Sequence, residues 1–435
     1  MMEPNLSPAD ELQHAGSSNG LQQFLKELGP GIITGAADDD PSGISTYSIA
    51  GASYGYATLW TALISFPLMA AVQFMCAKLG MVTGCGLASV IRTRYPRWVL
   101  WLASSLVIIA NIFNIGADLG GMADAMQMMT KIPAFYWTPF FALAIVALLF
   151  WTSYRLMARI FKWLTLVLFA YIITAFLAHP DWRAVLHSTF VPHFEWSKGY
   201  ISVLVAILGT TISPYLFFWQ AAQEVEEDRD HGKTTVAQRK GSTNSELRAA
   251  RRDVFTGMLL SNVVMYFLIL TTAATLNAHG HKDIETAKQA AEALRPLAGA
   301  GAYWLFTLGM IGTGMLAVPV LAGSCAYAVA EGAQWKAASL NLKPKLARKF
   351  YGVIGVSIVV GLALNFAHLN AVKMLFWSAI LNGLLAPPLV VMIVLLTSDK
   401  KVMGNRTNTR SMQWLGWACA SIMAIAAVGL IVSSF

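Results

Sequence analysis

The sequence predicts an all-α polytopic membrane protein of about eleven spanning helices, ten of them in two inverted five-helix repeats whose first helices are broken. Three observations predict it. Of 435 residues, 56% are hydrophobic and only 12% are charged, whereas soluble domains carry roughly 25% charge. Apolar windows of about 18–25 residues, the length that spans a bilayer, fall near 31–54, 58–79, 98–127, 133–153, 160–178, 199–222, 254–277, 300–330, 350–368, 371–397 and 413–434. The first and sixth of these windows are interrupted by a proline among polar residues.

Taken in order, residues 1–23 are polar and lack the basic start and apolar core of a cleavable signal, and residues 1–28 read as a cytoplasmic N-terminal segment. The first window breaks at Asp40-Pro41-Ser42-Gly43, directly after Asp38 and Asp39. An ionised aspartate costs several kcal/mol or more at bilayer depth unless paired or watered. The third window contains Asn111, Asn114, Asp118 and Asp124, so its outer part is expected to leave the membrane. The sixth breaks at Thr210-Thr211-Ile212-Ser213-Pro214-Tyr215. An offset of five spans inverts the second repeat relative to the first and puts the site between them. Glu224, Glu226, Glu227 and Asp228 then read as a solvated helix end, with cation collection as the alternative. The loop 226–252 is polar from Gly232 to Ser245 and reads as a mobile linker. Its basic end, from Glu246 to Asp253, reads as a helix start against anionic headgroups. The chain divides into a core over 29–397, with repeats near 29–180 and 195–397, and a cytoplasmic loop plus final helix over 398–435.

The net charge is +8, and the basic residues lie between windows. Lys78, Arg92, Arg94, Arg97, Arg155, Arg159, Lys162, Arg229 to Arg252, Lys336 to Lys349 and Lys400 to Arg410 fall on one side; Lys131, Arg183, Lys198, Lys282 and Lys373 fall on the other. That asymmetry places the N-terminus inside and the C-terminus outside a bacterial-type inner membrane. It marks topology and anionic lipid, and no nucleic-acid partner is expected. Cys76, Cys85, Cys325 and Cys419 show no paired spacing, so neither a disulfide frame nor a zinc knuckle is indicated.

A broken helix frees carbonyls at one half-end and amides at the other, and the carbonyl end carries partial negative charge. Hard cations take oxygen ligands. The first break offers Asp40 and nearby carbonyls, and the second offers the Thr210 and Thr211 carbonyls and the Ser213 hydroxyl. No methionine, cysteine or histidine stands at either break, which favours magnesium or manganese by softness. Asp38 and Asp39 either line the vestibule or pair with a basic residue. Ser213 either faces the ion or bonds back to its own helix. Asp118 is a proton-relay carboxylate or half of a polar pair. Tyr215 and Trp219 wall a pathway or pack between helices. Gln220 and Asn382 are further pathway candidates.

These residues resemble the NRAMP family of divalent-metal transporters. The likeness begins at Gly29-Pro30-Gly31-Ile32 and continues through Ala50-Gly51-Ala52-Ser53-Tyr54-Gly55-Tyr56, Gln73 to Gly80, Thr83-Gly84, and Leu316 to Gly332. The resemblance implies a LeuT-type fold and a metal site at the two breaks. The departures also carry information. The family's Asp-Pro-Gly-Asn is Asp40-Pro41-Ser42-Gly43 here, so the asparagine ligand becomes Gly43. Its Met-Pro-His is Ser213-Pro214-Tyr215, a second family histidine falls at Gln220, and its Asp-Leu-Ala-Glu is Asp118-Leu119-Gly120-Gly121. The lost thioether is what implies transition-metal preference in the family. The lost histidines and glutamate belong to its proton route. The pattern is similar to the NRAMP-related magnesium transporter branch, whose roomier site suits an ion that keeps several waters.

The expected function is uncoupled import of magnesium and manganese by alternating access. Asp40 is the acidic ligand, Thr210 and Ser213 supply oxygens, and Gly43 supplies space. No enzyme activity, resident cofactor or obligate protein partner is expected; the partners are the transported ions and the bilayer. A proton-coupled manganese or iron importer, with Asp118 and Asp38 replacing the missing relay groups, is the alternative. More distant ones are a magnesium-dependent membrane prenyl transferase using residues 38–40 and 224–228, and an organic-substrate carrier of the same fold.

Overall fold

The computed structural model describes residues 29–151, 166–367 and 369–433. The N-terminal segment 1–28, part of the fifth window, and Arg155, Arg159 and Lys162 lie outside the described residues.

The two interruptions have the same construction. Helix α1 (Pro30–Asp38) and helix α2 (Pro41–Tyr54) are separated by Asp39 (φ −82°, ψ 51°) and an extended Asp40 (φ −70°, ψ 170°). Further on, α3 (Trp60–Thr83), α4 (Leu87–Arg94), α5 (Arg97–Thr130), α6 (Ala134–Trp151), α7 (Ala170–Leu177) and α8 (Trp182–Phe190) lead to the second break. There α9 (Lys198–Thr211) and α10 (Pro214–Asp230) are separated by Ile212 and an extended Ser213. Proline lacks an amide hydrogen, disfavours helical geometry in the residue before it, and is well placed to start a helix. Pro41 and Pro214 therefore stop one half-helix and begin the next. Pro67, Pro139, Pro319 and Pro387 sit inside continuous helices, so proline alone does not make the break.

The rest of the chain supplies α11 (Val236–Arg239), α12 (Asn244–Thr275), α13 (Ala287–Glu292), α14 (Arg295–Ala298), α15 (Ala302–Gly332), α16 (Arg348–Leu364), α17 (Ala371–Ser398), α18 (Lys400–Met403) and α19 (Arg410–Val432). Among the described residues, nine helices are long and apolar enough to cross a membrane. The broken pair α1/α2 and the shorter apolar helix Val167–Leu177 stand where the first and fifth windows were read.

The repeats pack reciprocally. α1 and α2 lie against α12, the second helix of the second repeat, and α10 lies against α3, the second helix of the first. α5 packs on α15, α9 on α17, and α17 on α19. The α1–α12 contact is backbone on backbone: a Cβ on Gly35 would sit 2.3 Å from the Gly257 carbonyl oxygen. Only glycine allows that approach.

Basic residues gather at one end of the bundle. Arg94 pairs with Asp399 at 2.5 Å, and Lys78 donates to the Thr407 carbonyl at 2.8 Å. Two expectations are corrected here. The polar stretch after α10 is not an open linker. Arg239 is buried and donates to the carbonyls of Gly84, Lys233 and Thr234, while Thr235/Gln238 and Thr243/Glu246 form capping boxes. A guanidinium that satisfies three carbonyls orders the turn around it. The acidic end of α10 is not wholly solvated either. Glu224 and Glu226 are buried, the first accepting from Gln220 and the second from Arg229 and Ser339.

Candidate metal site at the two helix breaks

Asp40 is the N-cap of α2. Its Oδ1 accepts from the Gly43 amide and the Ser42 hydroxyl, each at 2.7 Å. Its Oδ2 accepts from Asn114 Nδ2, on α5, at 3.0 Å. The residue is 2% exposed, and these three donors to its carboxylate are neutral. A cap carboxylate at a helix N-terminus is stabilised by the end of the helix dipole. Among the described residues, the fork of the broken helix thus holds the acid without a basic partner.

Gly43 is where the two breaks meet. A Cβ there would lie 3.1 Å from Thr210 Oγ1, 3.4 Å from Tyr47 Cε2 and 3.5 Å from the Asp38 carbonyl oxygen. The Thr210 hydroxyl faces the Tyr47 phenol but has no partner within strict hydrogen-bonding geometry. The Ser213 hydroxyl donates to the Thr210 carbonyl at 2.8 Å and to the Gly209 carbonyl at 3.0 Å. In this conformation, then, Ser213 is bonded back to its own helix and engages the carbonyl read as a ligand. Each carbonyl keeps a second lone pair, and the hydroxyl oxygen keeps its own.

The remaining candidates divide by position. Asp38 Oδ2 and Asp39 Oδ1 both face Ser261 Oγ of α12, at 2.7 and 3.1 Å, so neither carboxylate is paired with a base through these contacts. Tyr215 donates to the Ala37 carbonyl at 2.8 Å, closing one of the carbonyls that the end of α1 leaves open. Trp219 packs against Gly323 and edge-on to Tyr327, the packing reading of that residue. Gln220 accepts from Thr34 Oγ1 at 2.6 Å and donates to Glu224 at 2.8 Å, tying α1 to α10. Asp118 is fully buried and faces the Ser42 amide together with Asp40. Neither of its carboxylate oxygens has a partner within hydrogen-bonding geometry, and the same holds for both polar atoms of Asn382.

Sequence reasoning read Asp118 as a buried candidate but missed that Asn111 and Asn114 share its inward face on α5. Asn111, Asn114 and Asp118 are all buried. Their spacing of three and four residues puts them on one helix face, and that periodicity could have found them. Asp124, at the outer end of α5, instead accepts from the Ala287 amide at 3.1 Å.

Near the breaks, Asp38 Oδ1, Ser45 Oγ, Tyr47 OH, Asn114 Oδ1, Asp118 and Thr210 Oγ1 are buried without partners within strict hydrogen-bonding geometry. Buried polar atoms are nearly always satisfied, so such a concentration marks a place built for a polar occupant. Among the described residues, no three histidine, cysteine or acidic side chains converge as a metal cluster.

The family described as Nramp, natural resistance-associated macrophage protein-like, matches this chain over residues 31–433. The chain belongs to the Nramp family. Nramp relatives include the divalent metal cation transporter MntH of Mesorhizobium japonicum, 28% identical over 417 residues, covering 93% of this chain and 88% of that protein. The MntH of Bacillus subtilis is 28% identical over 432 residues, covering 97% and 95%. A manganese transporter from Eremococcus coleocola, solved with an aromatic bis-isothiourea compound, superposes with a TM-score of 0.73 at 21% identity, covering 94% and 87%. Mhp1, a nucleobase-cation-symport-1 family transporter solved in a closed conformation, reaches 0.52 at 14% identity, covering 94% and 93%. These likenesses show the fold of this Nramp chain: an all-α, LeuT-type inverted repeat.

Proposed function

We propose that this Nramp chain carries divalent cations, magnesium and manganese before softer metals, inward across a bacterial-type plasma membrane by alternating access. The observation that carries the reading is the donor set at the breaks. It consists of the Asp40 carboxylate, the Thr210 hydroxyl and neighbouring carbonyls, with a glycine at 43 and no sulfur or imidazole donor at either break. Oxygen-only sites suit hard cations, and magnesium keeps several waters when bound. The MntH relatives and the manganese transporter of like fold support divalent metal as the cargo class.

The membrane potential drives uptake without a co-ion. Moving two charges through about 100 mV is worth roughly 4–5 kcal/mol. The clustering of basic residues at the α4/α18 end supports that end as cytoplasmic, which leaves the C-terminus of α19 outside. Family membership likewise supports a carrier over an enzyme.

A proton-coupled manganese or iron importer is the second reading, and Asp118 favours it. A buried carboxylate beside Asp40 with no hydrogen-bond partner is a group that could take a proton. One experiment separates the two. Purified protein in proteoliposomes, with a pH dye inside, is given magnesium or manganese under an inward-negative potential. The proposal expects both ions to enter without acidification. Failure of magnesium to enter or to compete with manganese removes the ion assignment; metal-driven acidification replaces uncoupled transport with the second reading.

A further inference from the structure

We infer that Asn114 is a specificity-determining residue of this site: its amide N–H fixes Asp40, and its amide oxygen is a further ligand, direct or through water, for the transported cation. The inference rests on the metal-carrier reading and adds to it a residue on a third structural element, α5.

The orientation of the amide follows from chemistry. An ionised carboxylate only accepts hydrogen bonds, so Asn114 must present its NH2 to Asp40 Oδ2, as it does at 3.0 Å. Its Oδ1 is left buried in a fully enclosed side chain with no partner of its own. On the same helix face, Asn111 one turn before donates to the Leu321 carbonyl, and Asp118 one turn on has neither carboxylate oxygen in hydrogen-bonding geometry with a partner. With both carboxyls ionised, neither Asp40 nor Asp118 offers that oxygen a donor. A cation at the break supplies the partner that this oxygen lacks.

The position also accounts for a gap in the first break. Gly43 contributes no side chain, and the space beyond it is bordered by Thr210 and Tyr47. The side-chain amide absent from α2 at Gly43 is present on α5 at Asn114, reaching the same carboxylate from across the bundle. A donor on α5 also ties the ion to a helix that packs on α15, α16 and α17, so occupancy couples the broken helix to that group.

The test uses full-length protein in proteoliposomes, with manganese uptake competed by magnesium or cadmium. Asn114→Leu is expected to raise the manganese KM about tenfold, the usual scale for losing a group that orients a metal ligand. Asn114→Cys places a thiol where the oxygen stood, so cadmium should compete about tenfold better, and magnesium about tenfold worse, than in the parent. A merely structural asparagine would not reverse that order. Asn114→Asp keeps the size and adds a charge facing Asp40. It is read in detergent by the melting-temperature rise on adding manganese, which should exceed that of the parent. An unchanged cadmium-to-magnesium ratio in the Cys variant, or a manganese shift in the Asp variant no larger than the parent's, overturns the inference. Should the parent carry neither manganese nor magnesium, the carrier reading itself fails, and this assignment falls with it.

Discussion

Asp253→Ala removes the anchor that ties the start of half-helix α1 to α12. The Asp253 carboxylate accepts from the Gly29, Gly31 and Ile32 amides at 2.9, 2.6 and 3.2 Å. Pro30 has no N–H, so these are all the amides that this helix start leaves without internal partners, and Asp253 is only 3% exposed, so water does not simply take its place. A side-chain cap is worth about 0.5–2 kcal/mol, and a hydrogen bond to an ionised group about 1.5–3 kcal/mol. Three amides sharing two oxygens are not additive, so the loss comes to about 2–4 kcal/mol. That is a factor of roughly 30 to 1,000 in the equilibrium between anchored and released α1. The glycine contact between α1 and α12 remains, so the variant folds. The assay is hydrogen exchange by mass spectrometry on peptides covering residues 29–38, in which local opening reports directly on that equilibrium. Protection in this segment should fall by the stated factor in Asp253→Ala, and by less in Asp253→Asn, which retains one neutral acceptor. Identical protection in the parent and a folded Ala variant would refute the reasoning.

Asp40→Ala should abolish manganese and magnesium uptake while the protein stays monodisperse in detergent; uptake above a tenth of the parent rate would remove Asp40 as the principal ligand. Ser213→Met combined with Gly43→Asn should move preference towards manganese and cadmium, because a thioether and an amide then enter an oxygen-only site. The new side chain at 43 has to displace Thr210 Oγ1, 3.1 Å from its Cβ, and an unchanged magnesium-to-cadmium ratio counts against Gly43 and Ser213 as site positions. Gly35→Ala should lower the melting temperature in detergent, since its Cβ meets backbone that cannot swing away; overpacking of this kind costs about 1–3 kcal/mol. A variant that melts with the parent would show that α1 and α12 can separate freely.

The pair of breaks was legible because its cause is local. Proline constrains itself and the residue before it, so Asp40-Pro41 and Ser213-Pro214 announce extended residues whatever surrounds them. Asp40 was legible for a related reason: an acid inside an apolar window is too costly to be incidental. The inward face of α5 was readable from the spacing of Asn111, Asn114 and Asp118, yet the same polarity also suited a helix end leaving the membrane. The polar run after α10 misled for the opposite reason. Its composition fits a solvated linker, and nothing local reveals that Arg239 finds carbonyls on Gly84, 155 positions away.

By itself, then, the chain's order of residues determined the membrane class, the approximate spans, both fractures and the acid at the first. Only the folded arrangement decided who meets that acid. Asn114 lies 74 positions from Asp40, Ser261 lies 223 from Asp38, and Asp253 lies 222 from Gly31. Backbone geometry is set by neighbours along the chain, while partners are set by which helix faces pack together. A hydroxyl such as that of Ser213 can serve its own helix or an ion equally well until packing leaves it one choice.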